Sequence, residues 1–280
     1  MDSLPTSPSP QPDPPNFVPA QSEHLQALYP QDDPPWGWRD ILIFVVVTIA
    51  LYFGLTMVLA IGYIAMGHTV ESLRGPTMPV MIIGLVTAII AGLAQLGYLY
   101  FRSKMYGQKS FWRGLGWISF ESLGFRTEVT STLCVIAGVA LGLAVSALSG
   151  LIGQKPGSTV EQLMHDRQTA VAFGILGIFF APLVEETIFR GFIYPVTRRT
   201  FGIAGGVVLT GTLFGLLHFY QLWPNWGQGI LLVGVGIAFT YARALTKTTL
   251  SSFIMHFSYN SFLFVSSFVA THGFKNIPIH

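Results

Sequence analysis

AVAFGILGIFFAPLVEETIFRGFIYPV, residues 170–196, decides how this chain is read. It is long enough and apolar enough to cross a bilayer as a helix, which takes about 20 residues. Yet it carries two carboxylates and a guanidinium, Glu185, Glu186 and Arg190, within six positions. A single ionised group at membrane depth costs a few kcal/mol even on lenient scales, so three together mark a functional site rather than a packing detail.

The rest of the chain supports the membrane setting. Of 280 residues only 10% are charged and 51% are hydrophobic, with a mean hydropathy of +0.56, whereas soluble domains carry roughly 25% charged residues. Apolar runs at about 41–66, 78–101, 129–152, 168–195, 201–219, 228–245 and 249–270 predict seven spans, or eight if the fourth breaks near Pro182. The fold class expected is therefore all-α, a polytopic transmembrane helical bundle. Residues 1–38 form a Pro-rich tail, holding ten of the seventeen prolines before residue 36, and are expected to be disordered. Residues 39–275 form one transmembrane domain. No basic leader precedes the first apolar run, so no cleavable signal peptide is expected.

Basic residues set the orientation. With the N-terminus inside, eleven Lys and Arg fall on the cytoplasmic side, against Arg74, Lys155, Arg167 and Lys275 on the other; this excess favours N-terminus in. Residues 101–126 mix Trp112, Trp117, Phe111 and Phe120 with basic side chains and read as a stretch lying on the cytoplasmic surface. Gly138 with Gly142, and Gly211 with Gly215, are small-xxx-small pairs that let helices approach closely. Cys134 lies in an apolar run and, as the sole cysteine, forms no intrachain disulfide; it reads as a small buried hydrophobe.

Few other polar groups lie within the spans. His218 closes GTLFGLLHF (211–219), and His256 and Asn260 lie in FIMHFSYNSF (253–262). Glu186 with Arg190, Phe214 with His218, and His256 with Asn260 are i,i+4 pairs, each on one helix face. Glu186 stands sixteen residues before Gly202 and His218 sixteen after it, so a hairpin turning there brings both to one depth, roughly 24 Å from the turn. One shared cluster is the economical arrangement, because each group alone would be unpaired in hydrocarbon. Arg190 can hold Glu186 as an anion, which leaves Glu185 to act as a base. A glutamate, two imidazoles and a carboxamide can activate water and stabilise an oxyanion. Glu185, His218 and His256 also make a zinc ligand set, and spacing alone does not choose between zinc and no metal.

The three motifs in this order, EExxxR (Glu185, Glu186, Arg190), FxxxH (Phe214, His218) and HxxxN (His256, Asn260), resemble the type II CAAX prenyl endopeptidases, grouped with bacteriocin-processing proteins as CPBP intramembrane metalloproteases. The resemblance covers about residues 125–270. It implies an intramembrane endopeptidase in which Glu185 and His218 activate the attacking water, His256 and Asn260 bind the oxyanion, and Glu186 with Arg190 support the site. Phe214 is expected to wall the pocket. It further implies a peptide or membrane-protein substrate and a bacterial cytoplasmic membrane as location, with the lipid bilayer as the other partner and no nucleic acid. Other intramembrane protease chemistries fit worse: there is no HExxH and no intramembrane Asp pair, and Ala147-Leu148-Ser149-Gly150 lacks the first glycine of GxSG. The competing functions are a transporter or proton relay, which also uses Glu and His chains, and a non-proteolytic scaffold or immunity protein. No internal repeat supports the transporter.

Overall fold

The computed structural model describes residues 33–74, 77–153 and 167–275. Among them every regular element is helical. Helix α1 (Trp38–Ala65) and α2 (Met78–Met105) lead to a short α3 (Phe111–Gly114) and then α4 (Thr127–Ile152). A composite helix follows: α5 (Arg167–Ile175), a π-helical turn (Leu176–Phe180), α6 (Ala181–Glu186), a second π-helical stretch (Thr187–Ile193) and α7 (Tyr194–Leu222). Helices α8 (Trp226–Thr246) and α9 (Thr249–Ala270) complete the bundle.

Among the described residues six helical tracts are long and apolar enough to cross a membrane, where seven or eight spans were expected. The difference lies in the fourth tract, Arg167–Phe219, which runs 53 residues without interruption in its helical assignment. Its backbone leaves helical geometry at Gly202, with φ 71° and ψ −179°, a conformation that only glycine adopts without strain. The chain doubles back there. Thr197 and Thr210, thirteen positions apart, have their hydroxyls 2.8 Å from each other, whereas along one straight helix they would be about 20 Å apart. No break occurs near Pro182. The proline ring would collide with the carbonyl four residues earlier in a regular helix, and the wide π turn just before it, Leu176–Phe180, relieves that collision while the chain stays helical.

Small residues set the helix contacts. A Cβ at Gly211 would lie 2.6 Å from the Cα of Ile237, and one at Gly215 the same distance from the Cα of Val233, so the second half of α7 touches α8 backbone to backbone. On the other side of the bundle Gly138 faces the Met255 carbonyl and Gly142 the Phe262 ring, docking α4 on α9. Both pairs read from the sequence are thus true contact points.

The end of the bundle at Gly202 is closed by two segments. Trp36 is 3% exposed, stacks on Phe192 at 5.5 Å and donates its indole N–H to the Phe192 carbonyl. Arg199 holds the same strap by donating to the carbonyls of Pro34 and Trp36. Ordered packing therefore begins by Asp33; residues 1–32 of the expected tail lie outside the described residues. The second segment is 111–120, expected on the surface but inserted instead, with Leu115, Ile118 and Phe120 buried. Beyond α3 its carbonyls turn to Thr248 and Thr249: Thr249 donates to Leu115 and Gly116, Thr248 to Ile118. That capping is why an apolar, irregular strand can enter the bundle.

These contacts predict opposite outcomes for two glycines of similar sequence context. Gly211→Val should lower stability by about 1–3 kcal/mol through overpacking. Gly234→Ala, whose Cβ would meet nothing within 4 Å, should be neutral or stabilising by up to about 1 kcal/mol. Thermal unfolding in detergent measures both.

Candidate active site

Arg190 is completely buried, and so is Glu186. All three faces of the guanidinium fork are used: Nη1 donates to Glu186 Oε1 at 2.8 Å, Nη2 to the Gly236 carbonyl at 2.8 Å, and Nε to the Thr240 hydroxyl at 3.2 Å. The aromatic rings of Phe214, Phe239 and Phe189 surround it at 4.6, 5.5 and 5.8 Å from the guanidinium carbon. One residue thereby joins the composite helix to α8. The planar fork matters here, because a point charge could not satisfy three acceptors in fixed directions.

Glu186 Oε1 accepts a second bond, from His256 Nδ1 at 2.8 Å. This ties α9 to the same centre. His218, on the returning half of α7, donates from Nδ1 to the Phe214 carbonyl at 2.8 Å. A carbonyl only accepts, so a neutral His218 carries its proton on Nδ1 and turns Nε2 toward Glu185. His256 is held in the same tautomer by the carboxylate. The two free Nε2 atoms then face one residue: His218 Nε2 lies 3.6 Å from Glu185 Oε1, and His256 Nε2 lies 3.9 Å from Glu185 Oε2. Both gaps exceed a hydrogen bond. Two ring nitrogens from different helices thus converge on one carboxylate.

Glu185 and Glu186 are neighbours in sequence with different surroundings. Glu186 is sealed, while the side chain of Glu185 is 24% exposed and that of His218 23%. The arrangement separates a structural carboxylate from one accessible to a ligand. Phe214 forms the wall between them: its ring lies edge-on to His256 at 5.7 Å and tilted against His218 at 4.7 Å, besides covering Arg190.

Five of the seven motif side chains, Glu185, Glu186, Arg190, His218 and His256, meet in one network, and Phe214 packs against it. Asn260 is the exception. Its amide donates to the Gly177 carbonyl at 2.6 Å, a group in the π turn Leu176–Phe180, where wide helical turns loosen the carbonyl ladder. Sequence reasoning missed Thr240 and Gly236, the remaining partners of Arg190, and Phe239, which stacks on His256 at 4.6 Å. Their signal was faint. Thr240 is a lone hydroxyl four residues after Gly236 in an apolar helix, and it donates to that glycine's carbonyl. Among the described residues, no group of three or more His, Cys, Asp or Glu side chains is arranged to hold a metal ion.

Comparison with known families agrees with the motif reading. Residues 167–262 match the family model described as Rce1-like, type II CAAX prenyl endopeptidase Rce1-like. The matched stretch contains all seven motif positions and corresponds to the suspected family. No curated protein and no solved structure matches the chain.

The buried pair yields a quantitative expectation. Arg190→Ala should destabilise by about 3–5 kcal/mol, since Glu186 would be left charged and unpaired. Glu186→Gln combined with Arg190→Gln should recover a large part of that loss. A double-mutant cycle by thermal unfolding in detergent measures the coupling; a value near zero would mean the two side chains act independently.

Proposed function

We propose that this chain is an intramembrane endopeptidase that hydrolyses a peptide bond of a peptide or membrane-associated substrate with water activated by Glu185 and His218. The observation that carries the proposal is the convergence of His218 and His256, from two different helices, on a carboxylate that the Arg190 pair leaves free. A structural network would satisfy its members with one another. This one leaves 3.6 and 3.9 Å between the two ring nitrogens and Glu185, longer than direct hydrogen bonds.

In the proposed reaction, a water donates one hydrogen bond to Glu185 and one to His218 Nε2. Glu185 takes the proton as the oxygen attacks the substrate carbonyl carbon, and the carbonyl π pair moves to oxygen. Collapse of the tetrahedral intermediate breaks the C–N bond, and Glu185 returns the proton to the departing amine. Glu186 and Arg190 hold His256 and the composite helix in register and do not exchange protons with substrate. His256 and Asn260 are the oxyanion groups that the resemblance implies. In this geometry His256 donates only if Nε2 also carries a proton, and Asn260 only by releasing Gly177 or using its second N–H.

Zinc is the metal to which Glu185, His218 and His256 would bind, as a Lewis acid that makes bound water more acidic. The donor types suit it, but as placed they do not form a metal cradle, and no step above is routed through one. The domain and topology readings belong to the same proposal: a catalytic core at about 125–270 inside a transmembrane domain 39–275, seven crossings with the turn at Gly202 counted, and the N-terminus in the cytoplasm.

Glu185→Gln and His218→Ala should each lower turnover by about 10²–10⁴-fold with unchanged expression and thermal stability. Cleavage of a fluorogenic peptide library by purified protein measures this. Turnover in EDTA should equal turnover without it; loss reversed by added Zn²⁺ would assign the three side chains to a metal instead.

A further inference from the structure

The matched segment 167–262 leaves the first two long helices without a role. Their depth can be aligned with the site from contacts alone. Phe44 on α1 packs against both Phe192 and Tyr98, with ring centroids 5.5 and 5.7 Å away. Gln95 on α2, 8% exposed, donates weakly to the Thr48 hydroxyl at 3.5 Å. Further along, Gly92 sits against the Phe180 ring and Val184. Helix α1 therefore runs antiparallel to the composite helix.

From the Phe44–Phe192 contact, Glu185 lies seven residues away from the Gly202 end, roughly 10 Å, and Tyr52 lies eight residues in the same direction, roughly 12 Å. Side chains on a helix lean toward its N-terminus, which lowers the Tyr52 ring by about the difference. The phenol and the carboxylate thus reach one depth, on helices joined through the Phe44–Phe192 contact.

Two features give that placement a chemical meaning. Among the described residues the Tyr52 hydroxyl forms no hydrogen bond, although it stands mid-helix in an apolar span where an unsatisfied O–H is costly. The site, conversely, is short of donors: the Nδ1–H of His256 goes to Glu186, that of His218 to Phe214, and Asn260 gives one of its two N–H groups to Gly177. An oxyanion needs donors, and a tyrosine hydroxyl is one of the groups that supply them.

We propose that Tyr52 is a further catalytic residue, contributed by α1, whose hydroxyl donates a hydrogen bond to the carbonyl oxygen of the bond being cut. No proton is transferred in this contact. The bond strengthens as the carbonyl π pair localises on oxygen in the intermediate and weakens again when the C–N bond breaks. The role rests on the endopeptidase reading above, and it makes the first span part of the active site.

The test uses the full-length protein in detergent and the fluorogenic peptide that wild type cuts fastest in a random library. Tyr52→Phe removes only the hydroxyl and should lower kcat about 10²-fold, as loss of one oxyanion donor does, with KM and thermal stability unchanged. Phe53→Leu, at a neighbouring position that is 70% exposed, should retain wild-type turnover. In a Glu185→Gln background, a photo-crosslinking phenylalanine analogue at position 52 should capture the peptide, and the same analogue at position 53 should not. Wild-type kcat in Tyr52→Phe, with Glu185→Gln inactive, would overturn the role of Tyr52 and leave the endopeptidase reading standing. Equal turnover in Glu185→Gln and wild type would overturn both.

Discussion

A buried ion pair without solvent must be surrounded by acceptors and donors or it expels the fold. Arg190 and the Oε1 atom of Glu186 meet that demand by recruiting neighbours: the Gly236 carbonyl and Thr240 from α8, His256 from α9, and the rings of Phe189, Phe214 and Phe239. Three helical elements are thereby fixed against one another at the depth of the site. The requirement also explains the glycines. Gly236 lets its carbonyl reach Arg190, and Gly211 opposite it lets α7 lie close enough to bring His218 alongside Glu185. Position and charge are set by one interaction, and Glu185 is the neighbouring carboxylate that the interaction leaves out.

The π-helical turns extend the same logic. Thr187–Ile193 carries Arg190, and Leu176–Phe180 precedes Pro182. Each widens the helix where a regular turn would misplace a side chain or meet a proline ring, and the first also presents the Gly177 carbonyl to Asn260. Trp117 donates to the Thr187 hydroxyl at 3.2 Å from below, so the inserted segment 111–120 braces the second π stretch. The strap at Trp36 braces its other end through Phe192.

Much of this was legible in the sequence because hydrocarbon makes polar residues conspicuous. The depth match of Glu186 and His218 followed from counting sixteen residues either side of Gly202, and the glycine turns there as expected. The pairs Gly138/Gly142 and Gly211/Gly215 were visible as spacings. What escaped was whatever depends on backbone groups or on distant partners. The Gly236 carbonyl has no sequence signature, π turns follow no periodic pattern, and Asn260 binds a carbonyl rather than joining the cluster. Segment 111–120 was misplaced on the surface because its aromatic and basic residues look interfacial, while the threonines that draw it inward, Thr248 and Thr249, lie some 130 residues later.

The account turns on direct attack of a Glu185-activated water. The most direct measurement is mass spectrometry of peptide-library products formed by the purified protein in ¹⁸O-water, with a rapid-quench time course. The account predicts one ¹⁸O atom in each new C-terminus, no burst of the first product, and no labelled product from Glu185→Gln. A burst with a covalent acyl-enzyme intermediate, or equal labelling by Glu185→Gln, would contradict it.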